Sequence, residues 1–188
     1  GVMRLVGLEA AGEPIRVVLL PEGYAMARGT PPPTAGYALP DQNLIVLFPA
    51  RSPQYPHDTL EDVLHHEVAH VLMARAAGGA GLPLWFHEGL AVLAERTWGL
   101  EDQARLVSEM VMVSRTSLDR VDAMFAADEG SKTRAYTLAA AFVRELIRRH
   151  GADAPANVLR RMSRGETFGR AFANATGGSI SEREKGFW

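Results

Sequence analysis

The sequence predicts an α+β domain, with a small N-terminal antiparallel β lobe over residues 1–57 and a larger, mostly α-helical lobe over residues 58–188. Two observations carry this. Before Asp58, short β-branched runs alternate with Pro- and Gly-rich turns; beyond it, apolar residues recur at helical spacing. A chain of 188 residues that is 47% hydrophobic is long enough to bury one sizeable core.

In the first lobe, Ile15-Arg16-Val17-Val18-Leu19-Leu20 lies between Pro14 and Pro21 and reads as a strand. Pro31-Pro32-Pro33 cannot donate to a ladder and reads as a loop. Gly36-Tyr37-Ala38 follows, then a turn around Pro40-Asp41, then the strong strand Asn43-Leu44-Ile45-Val46-Leu47-Phe48. Two or three antiparallel strands account for this pattern.

From Asp58 the period becomes helical. Asp58-Thr59-Leu60-Glu61 offers an N-cap with an acid three residues on, and Leu60, Val63, Leu64, Val68, Val71 and Leu72 fall on one helical stripe. Gly78-Gly79 ends this helix. A loop with Pro83 leads to a second helix through about Arg96. Further helices are expected over 101–115, 118–127, 133–150, 154–163, 167–175 and 180–187.

Bulk properties exclude several function classes. The net charge of −2 lacks the basic excess of a nucleic-acid binder. Without cysteine there is no disulfide, thiol catalysis or thiolate-held metal, so any metal is held by His, Asp or Glu. No apolar run approaches the roughly 18 residues of a membrane span. The chain opens at Gly1-Val2 and stops at Trp188 without a visible targeting signal, as a piece of a longer protein would.

The first predicted helix carries His66-Glu67-Val68-Ala69-His70. Residues four apart on a helix share a face, so two imidazole nitrogens can reach one ion. Glu67 points about 100° away from His66, beside the ion, where a carboxylate can take a proton from water. The pentapeptide alone is suggestive, since histidines on an amphipathic helix can simply be solvated, as His65 is expected to be. A catalytic zinc wants a third protein ligand. Trp85-Phe86-His87-Glu88-Gly89-Leu90-Ala91, on the next helix, offers two candidates, Glu88 and His87, and only one of two adjacent helical residues can face the ion.

The two motifs in this order resemble the gluzincin metallopeptidases, above all bacterial peptidase MA-like domains and, more distantly, M1 aminopeptidases and thermolysin-like enzymes. The resemblance covers roughly residues 34–188 and is strong over 60–91. It extends to Ala135–Leu146, His150-Gly151, Gly165–Phe168 and Thr176-Gly177-Gly178. It implies a zincin-like fold, one zinc per chain on His66, His70 and Glu88, and water activated by Glu67 for hydrolysis of a peptide or protein substrate. It further implies that Tyr136 donates to the oxyanion, that His87 lines the cleft, and that Asn43, Leu44, Ile45 and Val46 form an edge strand pairing with the substrate backbone.

The sequence also departs from these relatives. No Gly-x-Met-Glu-Asn motif precedes Asp58, so the amine-binding acid of aminopeptidases has no counterpart and cleavage within a chain is the better expectation. Four residues after Glu88 stands Val92, not the Asp that orients a zinc histidine in thermolysin-like enzymes. Glu95 is a candidate for that role, although an exposed Glu is the default expectation. The alternative is a non-catalytic domain that binds a peptide or protein on the same fold. The complete set of His66, Glu67, His70 and Glu88 argues against it. No compartment is assigned; the lean is to an extracytoplasmic or membrane-anchored bacterial protein.

Overall fold

A reciprocal capping box starts the helix on which the site depends. The Thr59 hydroxyl accepts from the Asp62 amide at 3.1 Å, while Asp62 Oδ2 accepts from the Thr59 amide at 2.8 Å. The cap is thus Thr59 with Asp62, one residue later than the sequence suggests. The computed structural model describes residues 1–112 and 116–188. In chain order the elements are α1 (Val2–Val6), β1 (Arg16–Leu19), α2 (Ala25–Gly29), β2 (Gly36–Leu39), β3 (Leu44–Leu47), α3 (Leu60–Ala76), α4 (Leu84–Glu95), α5 (Leu100–Met112), α6 (Leu118–Met124), α7 (Glu129–His150), α8 (Ala154–Met162), α9 (Phe168–Thr176) and α10 (Ile180–Lys185). This is an α+β fold. The helix expected over 101–115 is found as α5, and residues 113–115 lie outside the described residues. No helix among the described residues is long and apolar enough to cross a membrane.

The sheet corrects two expectations. Its order is β1-β3-β2, with β2 antiparallel but β1 parallel to β3. The lobe is therefore mixed, not antiparallel. Residues 20–35, including α2 and the Pro31–Pro33 loop, carry the chain past the end of β3 from one edge of the sheet to the other, and β2 returns it so that β3 runs parallel to β1. The second correction concerns Asn43 to Val46. Strand β3 is central and both its edges are occupied, so it has no free edge to offer a substrate. Ile45 and Leu47 pack toward Val63 and Val71 of α3, while Val46 and Phe48 pack with Ala27. A strand buried on both faces is apolar throughout, which explains the unbroken run from Leu44 to Phe48. Asn43 sits in the left-handed region at φ 48° and closes the turn into β3. Its side-chain oxygen accepts from Arg75 of α3 at 2.6 Å.

The main core lies between α3, α4 and α7, filled by Met73, Trp85, Phe86, Leu90, Phe142 and Leu159 among others. Asp122 of α6 caps α4 from outside, accepting from the amides of Leu84 at 3.2 Å and Trp85 at 2.5 Å. Where α4 meets α7, Gly89 lies against the backbone of Ala139. A Cβ at Gly89 would meet the Ala139 carbonyl oxygen at 2.5 Å and its carbon at 2.6 Å. The helices approach this closely only without a side chain there, and the residue beside this contact is Glu88.

Gly89→Ala should therefore push α4 off α7 and destabilise the fold by about 1–3 kcal/mol, the usual range for overpacking a tight core. Denaturant unfolding measures this directly. An unchanged midpoint and slope would mean that the close approach does not constrain the helices.

Candidate metal centre

α3 presents His66, Glu67 and His70 on its cleft side, all buried, and α4 lays Glu88 across them. His66 Nε2 lies 3.1 Å, and His70 Nε2 3.5 Å, from the same oxygen, Glu88 Oε2. The two imidazoles stand 4.6 Å apart and nearly perpendicular at 87°. One ligand atom from each of the three residues falls within 4.8 Å of the others. A tetrahedral zinc with bonds of about 2.0–2.1 Å puts neighbouring donor atoms roughly 3.3 Å apart. The two Glu88 distances bracket that value, and the donors are the nitrogen and oxygen atoms zinc accepts.

The local electrostatics also suit a cation. Burial alone would lower the His66 imidazole, but the hydrogen bonds it donates to the Glu88 and Glu95 carboxylates outweigh it and push it up to about 10. Burial would raise Glu88, yet His70, His66 and His87 hold it well below the ordinary carboxylate value. Two carboxylates around one buried imidazole demand positive charge between them, which a proton or a metal ion can supply. His70, lowered mainly by burial, keeps a neutral ring with a lone pair to give.

The remaining candidates take distinct places. Glu67 is buried in the wall of a cleft of about 440 Å³ and is not one of the converging donors. Burial, aided by Glu88 and opposed by His66, raises its carboxyl above the ordinary range. The Tyr136 ring from α7 lies 6.2 Å from the His66 ring and rests edge-on against Phe125 at 5.1 Å. Burial and the carboxylates of Glu88, Glu67 and Glu95 push its phenol well above 10, so it stays a hydrogen-bond donor. His87 stacks on His70 at 4.0 Å with its Nδ1 3.7 Å from Glu88 Oε1, lining the cleft outside the converging set. Asn43 to Val46 are absent from the cleft wall. Gly36, Tyr37 and Ala38 of β2 stand there instead.

One residue was weighed in the sequence and one escaped it. Glu95, a candidate partner for a metal-site histidine although exposure was the default expectation, has a fully buried side chain (0% exposed) with Oε2 3.0 Å from His66 Nδ1. Its spacing from Glu88, seven residues on one helix face, carried that signal. Nothing in the sequence flagged His57, whose Nδ1 lies 3.0 Å from the same Glu95 oxygen but off the line of a hydrogen bond. His57, His66 and Glu95 also cluster closely enough to hold an ion. However, an imidazole that gives Nε2 to one metal keeps its proton on Nδ1. The two clusters share His66, so only one can be filled by metal; all three residues of the trio with His70 line the cleft, whereas Glu95 of the other does not.

The model of the peptidase MA superfamily matches residues 29–187, most of the chain and all of the site. The chain belongs to the peptidase MA superfamily. No curated protein and no solved structure matches it. Its fold is thus peptidase-like, in a family whose members usually bind zinc, and α3 and α4 carry residues that could hold a metal ion.

For this peptidase MA domain, His70→Ala or Glu88→Ala should abolish tight binding of one zinc per chain. Elemental analysis after dialysis checks the assignment. Full zinc retention in both variants would contradict it.

Proposed function

We propose that this domain is a zinc-dependent endopeptidase, with His66, His70 and Glu88 as metal ligands. The observation that carries the proposal is the convergence of two imidazole nitrogens and a carboxylate oxygen inside a cleft whose walls also hold an acid and a phenol. Bound zinc supplies an electrophile for a scissile carbonyl and makes water at the site more acidic. Glu67 stands beside the ligands with a carboxyl raised by burial, which suits a group that takes a proton from the attacking water and passes it to the leaving amine. Tyr136, kept protonated, donates its O–H to the developing oxyanion.

Strand β2 takes the substrate role first expected of β3. It pairs with β3 on one side only, and Gly36 to Ala38 line the cleft. An extended peptide laid along it gains main-chain hydrogen bonds on both sides of the scissile bond. Glu129 is a cleft acid of the charge that holds a free amine, but it is tied to Lys132 at 2.7 Å. That pairing favours cleavage within a chain over removal of the first residue.

Glu67→Gln should keep the metal and the fold while losing nearly all turnover, and Tyr136→Phe should lower kcat by about 10²–10³ with unchanged zinc content. Turnover of an unfolded protein at the parent rate by either variant would remove that residue from the chemistry. N-acetylation of a peptide should leave its hydrolysis largely intact. If mass analysis found cleavage only after the first residue of free peptides, the domain would be an aminopeptidase with Glu129 as its amine anchor.

A further inference from the structure

We propose that Glu95 and His57 form a positioning pair for His66, so that a histidine in the cleft wall tunes the affinity of the metal centre. The inference rests on the zinc-ligand reading above and extends it to two residues that touch no reacting atom. A metal-bound imidazole fixed through Nε2 needs an acceptor for its Nδ1 proton, or the ring turns and the lone pair leaves the ion. Glu95 Oε2 stands in that place at 3.0 Å from His66 Nδ1. It comes from α4, the helix that carries Glu88, and so one rigid element touches both nitrogens of the same ring.

Glu95 is poorly suited to a purely structural task. Its side chain is wholly buried, and its Oε1 has no hydrogen-bond partner among the described residues. An unsatisfied buried carboxylate oxygen weakens a fold, so Oε1 gives no stability in return for its burial. What Glu95 contributes lies at its other oxygen, where both imidazoles meet. His57 approaches Oε2 at 3.0 Å and stands edge-on to the His66 ring at 4.7 Å. It therefore fills the space into which the Glu95 carboxylate or the His66 ring would otherwise move. His57 is 14% exposed, lines the substrate cleft, and lies two residues before the Thr59 cap of α3. Through it the cleft wall is mechanically joined to the second nitrogen of a metal ligand.

Zinc dissociation constants, measured by competition with a chromophoric chelator, and melting curves of the metal-free protein test the pair. Glu95→Leu should weaken zinc about 10–100-fold in metal-free protein whose melting curve shows that it is folded before zinc is added. Glu95→Gln, whose amide oxygen can still accept from His66, should recover part of the affinity. His57→Leu should weaken zinc severalfold in the parent and not at all in the Glu95→Leu background, the signature of two residues acting through one contact. If Glu95→Leu does not fold, a loss of affinity in folded Glu95→Gln carries the test. Parent affinity in the folded Glu95 variants, with zinc lost in His70→Ala, would overturn the positioning role and leave the ligand reading intact. Parent affinity in His70→Ala would overturn the ligand reading itself. Equal losses from His57→Leu in both backgrounds would remove His57 from the pair.

Discussion

The imidazole of His66 is gripped from both sides by carboxylates of a single helix, and much of the structure serves that grip. Glu88 meets Nε2 at 3.1 Å and Glu95 meets Nδ1 at 3.0 Å, two turns apart on α4. For both to reach one ring, α4 must lie along α3 without slack. The absence of a side chain at Gly89 lets α7 press α4 inward, and Asp122 fixes where α4 begins. The capping box at Thr59 sets the start of α3, and hence the height at which His66 and His70 emerge.

The same grip concentrates negative charge. Glu67, Glu88 and Glu95 all surround a ring that would be neutral in water. A fold tolerates such a cluster only with a cation at its centre, and the protonated His66 can fill that part until a metal does. Because the donors converge only in the folded chain, any ion they bind stabilises the fold by mass action. Stability and metal loading are therefore linked through the same three atoms.

Much of this was legible in the sequence, and the failures have physical causes. The stripe from Leu60 to Leu72 and the breaks at Gly78-Gly79 and Pro83 placed α3 and α4 within a residue or two, because amphipathic period and backbone chemistry are local. His66, Glu67 and His70 were readable from helical spacing, which is local, whereas Glu88 was separated from its neighbour His87 only by the resemblance to gluzincin metallopeptidases. Strand direction is not local. The parallel pairing of β1 depends on the path of residues 20–35, and the central position of β3 was visible only as a lack of polar alternation between Leu44 and Phe48. Helices α1 and α2, each of five residues, are too short to leave a period, and packing holds them in place. The burial of Glu95 and the presence of His57 beside it were hidden for another reason. A charged residue is buried only when distant residues supply its partners, and here these come from 29 and 38 positions away in the chain (95 − 66 and 95 − 57).

The central claim, that one zinc sits on two histidines and a carboxylate, is tested most directly by X-ray absorption at the zinc edge of the loaded protein. The account predicts one zinc per chain whose first shell contains two imidazole nitrogens, with oxygen making up the rest. A shell of three imidazoles would mean that His57 or His87 displaces Glu88, and a shell without imidazole would place the ion elsewhere; either result would contradict it.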